Sequence, residues 1–117
     1  MTDAAPTGDE RLDAAPTGDE RLDAAPTSDE RLDAWVHGTV QGVGFRWWTR
    51  SRALELGLVG SATNTADGRV HVVAEGPSDR LDALLAALRS DATPGSVTTV
   101  VDSRGPARGG LSGFVER

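Results

Sequence analysis

The sequence predicts one α+β domain, preceded by a repetitive acidic segment, in which strands and helices follow the order βαββαβ. Three observations support this prediction. A strand-like run ends in a glycine-rich loop at residues 41–44 and continues into a helix-like segment. An Asp-Gly pair at residues 67 and 68 separates two further strand-like runs, as in a hairpin. A leucine-rich stretch with helical spacing then comes before the last long strand-like run.

The first strand and helix are predicted from periodicity. Residues 32–40 alternate between two faces, which favours a strand. The helix predicted over residues 45–56 has one face on which apolar or small side chains recur every three or four positions. These side chains are Phe45, Thr49, Ala53 and Leu56. Gly57 is a suitable C-cap, so we expect the helix to end there.

The middle of the sequence predicts a hairpin. Residues 58–65 form a weaker strand signal, and Val70, Val72 and Ala74 alternate on the returning strand. Between them, Asp67-Gly68 is suited to the positive φ angles that a two-residue hairpin loop requires.

The second half predicts another helix and strand. Ser78 is a candidate N-cap for a helix with leucines at i, i+3, i+4 and i+7, namely Leu81, Leu84, Leu85 and Leu88. Val97, Thr99 and Val101 alternate as a strand, and Phe114-Val115 is suited to a short fifth strand at an edge. The complete order is that of the split βαβ, ferredoxin-like sandwich, a four-stranded antiparallel sheet with both helices on one face.

The N-terminal segment is a decamer written three times, over residues 3–12, 13–22 and 23–32, with Ser28 as the only difference. Residues 1–32 carry nine acidic and three basic side chains, so the net charge of −6 belongs to this segment. Each decamer has one leucine as its only sizeable apolar side chain, too little buried area to offset the entropy of ordering. We therefore expect residues 1–31 to be disordered and residues 32–117 to form the domain.

Composition excludes several classes of function. The chain has no cysteine and no lysine, which excludes thiolate nucleophiles, disulfides and a Walker A loop. No apolar run approaches the roughly 18 residues of a membrane-spanning helix, and the start has neither a basic nor an apolar segment typical of secretion. We expect a cytoplasmic protein without membrane contact. His37 and His71 have no companion ligands at metal-binding spacing, so no metal site is expected.

The loop from Val40 to Arg46 has the chemistry of an anion site. Gly42 and Gly44 let backbone N–H groups converge on one point, and the start of a helix adds partial positive charge. The guanidinium of Arg46 offers a planar fork that matches phosphate oxygens. A cation is unfavourable at a helix start, and this position therefore favours a functional role for Arg46.

The sequence resembles the acylphosphatase family in Gly38-Thr39-Val40-Gln41-Gly42-Val43-Gly44-Phe45-Arg46, in Leu56-Gly57-Leu58-Val59-Gly60, and in Asn64 before Asp67-Gly68. This resemblance covers residues 32–117 and implies the same βαββαβ sandwich. It implies hydrolysis of acyl phosphates with no metal or other cofactor. The phosphate would bind to Gln41, Gly42, Val43, Gly44, Phe45 and Arg46, and Asn64 would orient the attacking water. Arg46 and Asn64 would be the catalytic residues.

Phosphate chemistry agrees with this resemblance, because a carboxylate is a weakly basic leaving group that departs without a general acid. Backbone N–H groups and an arginine would stabilise the charge on the equatorial oxygens. We expect a monomer that acts on a small molecule. One alternative is a non-catalytic module that binds phosphate or carbamoyl phosphate. Another is an RNA-binding domain of the same element order, but residues 33–117 are neutral and lack the aromatic RNA-binding pattern, so no nucleic-acid partner is expected.

Overall fold

The computed structural model describes residues 29–117. Of residues 1–31, for which disorder was predicted, residues 1–28 lie outside this part of the chain, whereas Glu30 and Arg31 belong to the first strand. Five strands and two helices follow one another, and the first strand begins at Glu30 rather than at the expected residue 32. The elements are β1 (Glu30–Thr39), α1 (Phe45–Glu55), β2 (Val59–Asn64), β3 (Val70–Gly76), α2 (Ser78–Leu88), β4 (Ser96–Pro106) and β5 (Phe114–Glu116). No helix within residues 29–117 is long and apolar enough to span a membrane.

The strands form one sheet in the order β4-β1-β3-β2-β5. The first four strands pair antiparallel, and the helices pack against the sheet, which confirms the ferredoxin-like α+β prediction. The fifth strand forms at the expected place, but it pairs parallel to β2. β2 runs opposite to β4, and the connection from β4 crosses along one end of the sheet, so β5 also runs opposite to β4 and is parallel to β2.

The core lies between the sheet and the two helices. Along β1, every second side chain from Leu32 to Val36 is buried against the helices, whereas β3 is buried at every position except His71. α2 contributes three leucines, and α1 contributes the face that its spacing predicted. The buried apolar side chains of strands and helices include Leu32, Ala34, Val36, Phe45, Ala53, Ala62, Val70, Val72, Leu81, Leu84, Leu88 and Phe114.

The β2–β3 hairpin has a three-residue loop, so the expected two-residue loop is wrong. The N–H of Thr65 donates to the oxygen of Arg69, and the N–H of Gly68 donates to the oxygen of Thr65. Gly68 has a φ of 91°, which provides the left-handed residue that a three-residue hairpin needs at its last position. The Asp-Gly signal therefore predicted the hairpin correctly, but not its length.

The faces of β4 also differ from the prediction. The register between β1 and β4 shifts between His37 and Gly38, so that one residue of β4 is skipped. Because of this bulge, Val97 and Val100 both pack against the core, whereas Val101 is 53% exposed. A β-bulge cannot be predicted from the alternation of apolar and polar side chains, because that pattern assumes that every residue of one strand pairs with one residue of the next.

Helix α2 begins without a side-chain cap, so the prediction for Ser78 is wrong. Pro77 occupies the N-cap position, and Ser78 is the first helical residue. The Ser78 hydroxyl accepts a hydrogen bond from Arg104 instead.

Glu75 anchors the connection that crosses from β4 to β5. Its carboxylate accepts hydrogen bonds from the backbone N–H groups of Arg108 and Gly109, at 3.1 Å each, and from the guanidinium of Arg31 at 3.3 Å. The side chain is only 4% exposed. Burial alone raises the pKa of Glu75, but these three donors outweigh it and hold the pKa below its ordinary value.

The low pKa of Glu75 predicts a loss of stability in acid. A carboxyl whose pKa is depressed by folding stabilises the fold above its unfolded pKa, and that contribution disappears as the pH falls through the folded value. Glu75→Gln should therefore lower the free energy of unfolding by about 2 kcal/mol at pH 7. Urea unfolding from pH 7 to pH 3 should show this difference shrinking. A difference that stays constant with pH would contradict the role of the charge.

Candidate active site

The loop between β1 and α1 adopts the open conformation that its glycines predict. Gly42 has a φ of 74° and Gly44 a φ of 84°, both in the left-handed region that favours glycine. A Cβ atom at either position would meet no other atom within 4 Å, so the backbone angle rather than space requires glycine here. Phe45 is fully buried and fixes the end of the loop to the core, while Val43 between the glycines is 38% exposed.

The turn before β4 packs closely against the start of this loop. A Cβ atom on Gly95 would lie 2.1 Å from the backbone oxygen of Thr39 and 2.9 Å from a methyl group of Val43. The two segments therefore pack backbone to backbone, which only glycine permits. This contact limits how far the loop can move away from the sheet.

The loop presents a group of unsatisfied backbone donors. Within residues 29–117, no group accepts a hydrogen bond from the backbone N–H groups of residues 41–46. Helix α1 has no side-chain cap at Gly44 and no acidic residue in its first turn. N–H groups at a helix start carry partial positive charge, so this arrangement is suited to an anion.

Arg46 and Asn64 are 18 positions apart in the sequence, but both donate a hydrogen bond to the same atom, the backbone oxygen of Arg117. Nη1 of Arg46 donates to the backbone oxygen of Arg117 at 2.5 Å, and the backbone N–H of Asn64 donates to the same oxygen at 3.1 Å. No aspartate or glutamate side chain among residues 29–117 forms an ion pair with Arg46. The described partner of its guanidinium is the oxygen of Arg117.

The side chain of Asn64 is oriented toward the helix side of the sheet. Ala62 is buried on that side, and alternation along β2 places Asn64 on the same face, at the end of the strand. Its Oδ1 atom is buried, and no group within residues 29–117 donates a hydrogen bond to it. A buried amide oxygen of this kind has its acceptor capacity available for a water molecule.

Gln41 connects the loop to the β2–β3 hairpin. Its Nε2 donates to the backbone oxygens of Thr65 and Arg69, at 2.8 Å each. The sequence assigned only a backbone role to Gln41, and neither composition nor spacing signals the side-chain contact. The role of the Arg117 oxygen was also missed, because the pairing of β5 with β2 brings it to this place and no local pattern encodes that pairing.

Charged and polar side chains at the tip of the hairpin interact with one another. Asp67 pairs with the guanidinium of Arg69 at 2.7 Å and also accepts a hydrogen bond from the hydroxyl of Thr65. These two donors hold the pKa of Asp67 far below its ordinary value, so Asp67 stays ionised in mild acid.

The tryptophans and histidines lie outside the loop. Trp35 stacks on His71 on the uncovered face of the sheet, with ring centroids 3.8 Å apart. Trp48 packs against the core, and Trp47 is 60% exposed beside Arg46. Residues 29–117 contain no group of three or more histidine, aspartate or glutamate side chains placed to hold a metal ion.

Comparison with known proteins agrees with this geometry. The family model described as acylphosphatase matches residues 32–115. Proteins named acylphosphatase from Nocardia farcinica and Rhodococcus jostii are each 69% identical to the chain over 84 residues. That alignment covers 72% of this chain, and 84% and 94% of the two relatives, respectively.

A solved structure gives the same result for the fold. The crystal structure of acylphosphatase from Bacillus subtilis superimposes with a TM-score of 0.69 at 31% sequence identity. The match covers 75% of this chain and 98% of that one. The matching family model and these relatives together show that the chain belongs to the acylphosphatase family.

Proposed function

We propose that the chain is an acylphosphatase that hydrolyses the carboxyl–phosphate bond of acyl phosphates, giving a carboxylate and inorganic phosphate. One observation carries this proposal beyond the family relationship. The backbone donors of residues 41–46 have no acceptor within residues 29–117, and they lie beside an arginine that forms no ion pair with an aspartate or glutamate side chain of this part of the chain. This combination suits a dianionic phosphoryl group.

We assign phosphate binding to residues 41–46. The N–H groups of this loop would bind the non-bridging oxygens, and the guanidinium of Arg46 would neutralise charge on the equatorial oxygens as the phosphoryl group transfers. Because phosphoryl transfer has a loose transition state, catalysis depends mainly on positioning and electrostatic stabilisation. The loop is well placed for both, since it is fixed at one end by Phe45 and supported by Gly95.

We assign orientation of the nucleophile to Asn64. Its buried Oδ1 would accept a hydrogen bond from a water molecule and hold it in line with the scissile P–O bond. The water oxygen forms the new bond to phosphorus while the bond to the carboxylate oxygen breaks with its electron pair. An amide is too weak a base to take the proton, so we assign the proton to an oxygen of the substrate phosphate.

A non-catalytic phosphate-binding module is the weaker alternative. Such a module would need the loop and Arg46, but it would not need a water-orienting amide beside them. The backbone N–H of Asn64 and Nη1 of Arg46 donate to the same oxygen, so the residue that carries such an amide lies beside Arg46.

We further propose that the enzyme works without a metal ion and as a cytoplasmic monomer. A carboxylate of low basicity leaves without acid or metal assistance, and one chain provides every residue assigned to the site. A small-molecule acyl phosphate is the proposed substrate, with no nucleic-acid or membrane partner.

Activity is expected to reside in the domain that follows the acidic repeats. Removing residues 2–28 should leave kcat and KM for benzoyl phosphate within about two-fold of the full chain, because every residue assigned to the site lies in the domain. This deletion keeps Arg31, which pairs with Glu75. A larger loss of turnover in a variant that unfolds at the parental temperature would show that the repeats contribute to catalysis.

A further inference from the structure

The side chain of Gln41 joins the two halves of the proposed active site. Gln41 lies in the phosphate loop, and its Nε2 uses both of its hydrogens, one for the backbone oxygen of Thr65 and one for that of Arg69. Both bonds are 2.8 Å long and partly buried. Since Thr65 follows Asn64 directly, these bonds fix the loop to the strand end that carries the amide.

The hairpin that receives Gln41 is held by hydrogen bonds of its own. The backbone N–H of Thr65 donates to the oxygen of Arg69, and the hydroxyl of Thr65 contacts both Asp67 and the backbone of Arg69. Since Thr65 follows the end of β2 directly, a displacement of these residues relative to the loop would also displace the end of β2.

We propose that Gln41 is a positioning residue for acyl phosphate hydrolysis, whose side chain sets the separation between the loop N–H groups and the carboxamide of Asn64. This inference rests on the proposed function. The backbone N–H of Gln41 is one of the proposed phosphate donors, whereas its side chain positions the residue that would orient the attacking water. The two roles predict different kinetic effects.

The position of Asn64 relative to the loop matters because the reaction is in line. The loop fixes phosphorus, and Asn64 fixes the water, so the angle of attack depends on the distance between them. Misplacement by about 1 Å can cost about 100-fold in rate. Apart from those of Gln41, the described hydrogen bonds that join these two parts converge on one atom, the backbone oxygen of Arg117.

Gln41→Met is the variant that isolates the side chain. Methionine has nearly the same length and keeps the backbone N–H, but it has no donor for the oxygens of Thr65 and Arg69. We expect kcat for benzoyl phosphate to fall about ten-fold, part of the loss that misplacement can cause. The inhibition constant of inorganic phosphate should change less than about two-fold, because the loop donors remain.

A second arm tests whether Gln41 acts through Asn64. In an Asn64→Ala background there is no carboxamide to position, so adding Gln41→Met should lower kcat by less than about two-fold further. A residue that merely stabilised the fold would lower kcat equally in both backgrounds. Glu75→Gln provides the stability control, because Glu75 lies at the end of β3 that is farther from Asn64. This variant should have a lower unfolding temperature and an unchanged kcat.

The outcomes separate this inference from the function on which it rests. If the parent enzyme turns over benzoyl phosphate and Gln41→Met keeps parental kcat, the role of Gln41 is overturned while the function stands. Equal losses of kcat and phosphate affinity would also overturn it. If the parent shows no turnover, the proposed function fails first. If Gln41→Met does not fold, Gln41→Asn replaces it, because the shorter side chain cannot reach the oxygens of Thr65 and Arg69. The same criteria then apply to Gln41→Asn.

Discussion

Replacing Arg46 by alanine should lower kcat/KM for benzoyl phosphate by about 100-fold or more, the loss typical of removing a key transition-state donor. The guanidinium belongs to the residue that ends the loop, and no aspartate or glutamate side chain among residues 29–117 forms an ion pair with it. Acidic side chains of this part of the chain therefore do not compete with the phosphoryl oxygens for its charge. The measurement is steady-state hydrolysis over a range of substrate concentrations, with unfolding temperatures recorded for both proteins.

Arg46→Lys and Arg50→Ala are the matched controls for this result. Lysine keeps the charge but loses the planar fork, so it should restore little activity. Arg50 lies one turn further along α1, and its Nε donates to the backbone oxygen of Phe114 in the same strand that Arg46 approaches. Arg50→Ala should therefore lower stability while keeping most of the activity. Parental activity in Arg46→Ala would refute the assigned site.

Replacing Asn64 by alanine should lower kcat by about 100-fold, as expected when a nucleophile is no longer oriented. Binding of inorganic phosphate should stay within about three-fold of the parent, because the loop donors and Arg46 remain in place. The backbone N–H of Asn64 still reaches Arg117 in this variant, so β5 is kept. Inhibition by phosphate and single-turnover hydrolysis measure the two effects separately.

Thr63→Ala is the control for Asn64→Ala. Thr63 is the neighbouring residue on β2, and alternation places its side chain on the uncovered face of the sheet. It should leave kcat unchanged. If Asn64→Ala reduced phosphate binding and turnover to the same extent, the assignment of Asn64 to water orientation would be wrong.

Much of the fold could be predicted because local signals agreed with the tertiary structure. The face formed by Phe45, Thr49 and Ala53 is the buried face of α1, and the leucine spacing identified α2. The errors arose where long-range pairing decides the outcome. The bulge beside Gly38 redirected Val100 toward the core. The direction of β5 was not predicted, because it depends on the connection that crosses the sheet.

The candidate site was predictable to a different degree for each residue. An anion at a helix start binds exposed backbone N–H groups and a nearby cation, so the roles of the loop glycines and Arg46 could be predicted from the sequence. Asn64 was assigned by resemblance, and its proximity to Arg46 depends on the Arg117 oxygen, which only the folded chain brings there. The contacts of the Gln41 side chain join segments more than 20 residues apart, and no local pattern encodes them.

Hydrolysis of benzoyl phosphate by the purified full chain in the presence of EDTA tests the proposed activity directly. We expect turnover that is unaffected by the chelator and that falls about 100-fold when Arg46→Ala is assayed under the same conditions. Absence of turnover in a folded protein that still binds inorganic phosphate would contradict the hydrolytic function and favour a binding module.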